Sequence, residues 1–201
     1  MTNKEHYFTV EQTGAAEFKD RGSKFIGLVF PVNDTADIKK CLQEVKKEHP
    51  KATHHCFAWR LGTDGNQFRV SDDGEPSGSA GRPILAQIDS RGVTNVLVIV
   101  VRYFGGTLLG VPGLVNAYKS AAALCLQIVP LVQKNRMQEY CIRFDYTQMN
   151  DIMRVVKQFR AEIVKNEPGL FSSLYVAISL AEEAQFTAHI KNLRDVELLK
   201  N

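Results

Sequence analysis

The chain of 201 residues carries 25 Lys and Arg against 22 Asp and Glu, with 44% hydrophobic and 23% charged side chains. This is ordinary globular composition, long enough to bury about 70% of the unfolded surface, so the chain needs no disulfide or metal to fold. Residues 1–133 hold 15 cations against 13 anions and residues 134–201 hold 10 against 9, so charge alone points neither half toward nucleic acid, and any such site must be a local patch.

The first residues, Met1 to His6, are polar and do not read as a signal peptide. Tyr7–Val10 and Phe25–Phe30 read as strands, and Glu17–Lys24 as a charged strand and turn between them. Asp34 is placed to cap a helix whose apolar stripe is Ile38, Leu42 and Val45, with Pro50 just past its end. His54–Leu61 is a strand, Thr63-Asp64-Gly65-Asn66 a hairpin turn, and Phe68-Arg69-Val70 the return. Asp72–Arg82 is a polar, glycine-rich loop, and Pro83 suits the first turn of a short helix reaching Asp89.

Val96–Val101 has no polar alternation and predicts a central strand covered on both faces. It is also the longest apolar run, far too short to span a bilayer. A glycine-rich turn, Gly105–Gly110, leads into a helix from Gly113 to Ile128 with Leu114, Tyr118, Ala121, Cys125 and Ile128 inward. Val129–Lys134 reads as a linker. Beyond it the pattern restarts: strand Met137–Tyr146, helix Thr147–Phe159, strands Ala161–Lys165 and Leu170–Leu180, helix Glu182–Asn192 and strand Val196–Leu199, the βαββαβ order of a ferredoxin-like split unit. Cys41, Cys56, Cys125 and Cys141 form no CxxC pair and read as buried thiols of a reducing compartment, so the expected location is cytoplasmic, with no membrane partner.

Two stretches carry candidate chemistry. In Asp72–Pro83, the residues Ser77, Gly78, Ser79, Gly81 and Arg82 precede a helix start, where converging amides and a guanidinium favour an anion such as phosphate. The spacing is not that of a P-loop, and Asp72, Asp73 and Glu75 oppose a phosphate; a plain turn-forming loop accounts for the same residues. In Arg102-Tyr103-Phe104-Gly105-Gly106, an arginine beside exposed rings can contact phosphate and stack bases, although a strand end buried in the core has the same composition. Adjacent strand residues face opposite sides, so Tyr103 and Phe104 need not share a role. His54-His55-Cys56 places His54 on one strand face with Cys56, which is too few ligands for zinc. His54 is expected beside the glycine loop, with Asp72 and Asp73 as further second-rank candidates. Neither Ser77 nor Ser79 sits in a nucleophile elbow. No metal, cofactor or catalytic set is predicted.

Four motifs in order, Ser23-Lys24-Phe25-Ile26-Gly27, His54–Arg60, Asp72–Leu85 and Val101–Gly110, resemble the N-terminal domain of the YigZ/Impact family, and the tail after residue 134 is similar to the small C-terminal domain of its bacterial members. The resemblance implies an α+β protein with a ribosomal protein S5 domain 2-like first domain (residues 1–130) and a ferredoxin-like second domain (residues 135–201). It also implies translational control, since the eukaryotic relatives act there through a protein partner that senses the ribosome. The expected function is an RNA- or ribosome-associated binding protein that regulates translation. The alternatives are an enzyme of a phosphate or nucleotide ligand and a protein-interaction regulator that binds no nucleic acid.

Overall fold

The computed structural model describes residues 5–169 and 171–201. Contacts divide the chain into two compact units, one of residues Tyr7–Lys134 and one of Asn135–Asn201 together with Glu5 and His6. Both are mixed α/β.

From His6 to Asn135, one residue beyond the first unit at each end, β1 (His6–Thr9) is followed by β2 (Gly14–Asp20), β3 (Ser23–Pro31), α1 (Thr35–Glu48), β4 (His54–Leu61), β5 (Gln67–Ser71), α2 (Gly81–Arg91), β6 (Val96–Tyr103), α3 (Gly110–Gln127) and β7 (Val132–Asn135). A five-stranded sheet has the order β2-β3-β6-β4-β5, with every pairing antiparallel. The central place of β6 follows from its composition: Val96 to Val101 are all buried, so both faces must be covered.

The period of two along β6 sorts two cores. Val96, Val98 and Val100 pack with Phe25, Cys56, Ala58, Ile84, Ile88 and Tyr118 beneath α2 and α3. Leu97, Ile99 and Val101 pack with Ile38 and Val45 of α1 on the other face. Helix α1 starts where Asp34 accepts the amides of Ala36 and Asp37 at 2.7 and 2.9 Å, satisfying two orphan donors. The second half of the segment expected to be a linker, Val129–Lys134, is a strand. Val132–Asn135 forms β7, which pairs with β1 in a separate two-stranded sheet; so short a strand, paired across more than a hundred residues, leaves no periodicity to read. Cys41 is half-buried; the other three free thiols are buried.

The second unit runs β8 (Met137–Asp145), a 3₁₀ turn (Tyr146–Gln148), α4 (Met149–Gln158), β9 (Glu162–Glu167), β10 (Phe171–Ser179), α5 (Glu183–Lys191) and β11 (Val196–Lys200). The expected start of the β10 strand, Leu170, lies outside the described residues. Its sheet has the order β11-β8-β10-β9, again antiparallel throughout. Tyr140, Ile142, Phe144, Leu174, Val176 and Ile178 join Ile152, Val156, Phe186 and Ile190 of the helices in one core. Among the described residues no helix is long and apolar enough to cross a membrane.

Candidate functional site

The two candidate stretches meet at one end of the five-stranded sheet, but not in the arrangement expected. Arg102 follows Val100 on the α2/α3 face of β6, and only 5% of it is exposed. Its Nη1 donates to Glu75 Oε1 at 2.6 Å, and the guanidinium carbon lies 5.5 Å from the ring centres of both Phe25 and Phe104. Arg102 is therefore not a free phosphate contact, because the low-dielectric sheet end holds it against a carboxylate. Tyr103 points the other way, into the α1 face, where its hydroxyl lies 2.9 Å from His49 Nδ1. The pleat separates it from the site.

The glycine loop is likewise spoken for. Asp72 accepts from the amides of Gly78 (2.9 Å), Ala80 (3.0 Å) and Gly81 (2.8 Å). Ala80, the residue before α2, has no side chain to cap the helix, so Asp72 does this from eight residues upstream. The amides that were candidates for a ligand anion already hold an internal one. Burial alone would raise the Asp72 carboxyl, but the amides of Gly78, Gly81 and Ala80 outweigh it and hold it below the usual carboxylate range. Ser79 is buried and its hydroxyl donates to Pro76 O at 2.6 Å. Of the loop candidates only Ser77 and Arg82 are exposed.

The second-rank residues hold the loop to β4. His54, directly across the ladder from Arg102, places Nδ1 2.8 Å from Asp73 O, and His55 N donates to Asp73 Oδ2 at 2.7 Å. Among the described residues no three His, Cys, Asp or Glu side chains gather as a metal set.

What opens to solvent here is a cleft of about 440 Å³. Its floor is Glu75, Arg102 and His54; its walls include Pro76, Leu109 and Leu114; its rim is Phe104, Leu108 and Val111. The rim is apolar and open, with Phe104 46%, Leu108 83% and Val111 51% exposed. On the floor Tyr118 donates to Glu75 Oε1 at 2.8 Å, and His54 Nε2 lies 3.8 Å from the same oxygen. Burial, then Cys56 and Glu75, push the Tyr118 phenol well above its ordinary value, so it stays a neutral donor. Burial pushes the neighbouring Cys56 thiol up to about 12, which removes it as a nucleophile.

Gly105 sets the angle of the rim. Its α-carbon lies so close to the β2–β3 turn that an added Cβ would sit 1.9 Å from the Gly22 carbonyl carbon. The amide of Gly105 also donates to Ser23 Oγ at 3.2 Å. Glu75, Tyr118, Leu108 and Val111 were not singled out as site residues; Glu75 was visible only as part of an acidic run and Tyr118 as a core position of α3.

Residues 21–126, which contain this whole cleft, match the Impact N-terminal domain. The chain is also 37% identical over 170 residues to IMPACT family member YigZ of Escherichia coli (strain K12), an alignment covering 84% of this chain and 83% of that one. The chain belongs to the Impact family. A second Impact relative, YvyE of Bacillus subtilis (strain 168), is 34% identical over 152 residues, covering 76% of this chain and 70% of that one. The crystal structure of a hypothetical protein superposes with a TM-score of 0.80 at 33% identity, covering 97% of each chain.

Proposed function

We propose that this Impact family member is an RNA- or ribosome-associated regulator of translation, and that it meets RNA through the cleft over Glu75 and Arg102 and not through a phosphate cradle in the glycine loop. The observation that carries this reading is the Phe104 ring, exposed at the cleft mouth and backed at 5.5 Å by a buried guanidinium. An open ring held in one orientation is a stacking platform for an unpaired base. Translational control among eukaryotic Impact relatives supports the biological setting. The near balance of charge in residues 1–133, 15 cations against 13 anions, agrees with a contact made by stacking more than by polyanion attraction. The strand orders described above support S5 domain 2-like and ferredoxin-like names for the two units. A nucleotide enzyme is disfavoured, because a phosphate in the loop would have to displace the Asp72 carboxylate from three amides.

The exposed Leu108 and Val111 side chains favour one other reading, in which the same rim seats an apolar surface of a protein partner. Polysome-gradient fractionation separates the two. The RNA reading expects co-sedimentation with ribosomal material that RNase releases and Phe104→Ala weakens. Co-sedimentation that resists RNase but fails for Leu108→Glu would establish the protein partner instead.

A further inference from the structure

The cleft floor is a polar pair that has satisfied only part of itself. Of the Arg102 donors, Nη1 reaches Glu75, while Nε is buried with no hydrogen-bond partner among the described residues, on a side chain 6% exposed. Such an orphan is costly unless something else supplies its acceptor. On Glu75, whose side chain is 3% exposed, both Arg102 and Tyr118 donate to Oε1, and no described residue donates to Oε2. A carboxylate offers about four acceptor positions. The floor of an apolar cleft therefore holds guanidinium donors that Glu75 does not take up, beside two spare acceptor positions on the carboxylate.

That combination excludes simple ions. A phosphate or carboxylate would meet Glu75 at close range, and an amine would meet Arg102. A neutral, flat group that offers two donors next to one acceptor fits both, and the walls of Pro76, Leu109 and Leu114 with the Phe104 ring accept its faces. Among nucleobases, the guanine Watson–Crick edge has this order: N1–H and N2–H₂ donate side by side, and O6 accepts. Adenine brings one donor and leaves an acceptor facing the carboxylate. Uracil brings one donor between two carbonyls, which the carboxylate repels.

We infer that the cleft over Glu75 and Arg102 reads an unpaired guanine, with N1–H and N2–H₂ on the Glu75 carboxylate, O6 on the Arg102 guanidinium and the base face on Phe104. This rests on the RNA reading above and names the base it selects. His54 Nε2, 3.8 Å from Glu75 Oε1, stands at the edge of the same floor.

The test is fluorescence anisotropy of the full chain with two labelled single strands, an oligouridine carrying one central guanosine and the same strand carrying adenosine there. The guanosine strand is expected to bind about tenfold more tightly, the discrimination typical of a good bidentate base contact. Glu75→Gln, which replaces one acceptor oxygen by a donor, should bring the two strands to within about twofold. Phe104→Ala, at an exposed position that does not endanger folding, should weaken both strands by about tenfold through lost stacking. Equal binding of the two strands by the wild-type protein overturns the guanine assignment alone, as does an unchanged affinity in Phe104→Ala. Failure of either strand to bind overturns the RNA reading beneath it as well.

Discussion

The glycine loop and the strand-end cleft lie side by side, are built from similar residue types, and ended in opposite states. In the loop, Asp72 takes three amides and the Ser79 hydroxyl turns back on Pro76, so the polar groups there are largely committed within the protein. In the cleft, Arg102 and Glu75 share one short bond, and the Arg102 Nε is left over beneath an apolar rim. A region rich in candidate donors is structural when its own carboxylate consumes them. A region with buried polar groups left incomplete is where a ligand gains most, because it removes a desolvation cost already incurred. The contrast moves the functional reading from the loop to the cleft.

The contrast can be attacked at several points. The largest expected effect is at the rim's anchor. Gly105→Ala drives a Cβ into the Gly22 backbone, and neither chain segment has a flexible end to yield. A loss of about 3 kcal/mol is expected, in the range of severe steric mutations, seen as a lower urea midpoint with an unchanged slope. A neutral result would show that the rim is not fixed by the Gly22 turn.

Next is the loop's internal anion. Asp72→Ala strands three amides at the start of α2 and should cost about 2 kcal/mol, since bonds to a charged acceptor are worth more than neutral ones. The pH dependence has a definite sign. The folded-state Asp72 pKa is depressed, so its contribution is complete above the ordinary carboxylate value of about 4 and is lost as pH falls through the lower folded value. Thermal melts of the wild-type protein should lose stability in that acid window more steeply than melts of Asp72→Ala. Identical slopes would mean that the carboxylate is not the cap described here.

The smallest effect belongs to Arg82, exposed at the start of α2. Arg82→Ala should change the melting free energy by less than about 0.5 kcal/mol and RNA affinity by less than about threefold, as a rim charge does. A tenfold loss would return the function to the loop.

Much of this architecture was legible in local pattern. The apolar run Val96–Val101 required a covered central strand, Asp34 announced α1, and His54–Leu61 emerged as β4 with those bounds. The second unit's alternation of periods two and 3.6 marked its elements in order. Helices α2 and α3 began two to three residues earlier than expected, because Pro83 and Gly113 lie inside the first turn, where a missing donor or side chain is tolerated. The site was less legible. Arg102 and Glu75 are 27 residues apart, and nothing local says that the guanidinium turns inward. Asp72 looked like an obstacle to an anion when it is the anion itself. The strand partner of Val132–Asn135 lies at the other end of the first unit, beyond the reach of any window.

The most direct test of the cleft as the RNA-contacting surface is ultraviolet cross-linking of the full chain to a guanosine-containing single strand, followed by mapping of the attached peptide. Attachment is expected within residues 102–111, centred on Phe104. Attachment confined to residues 72–82, or to the unit after Asn135, would contradict it.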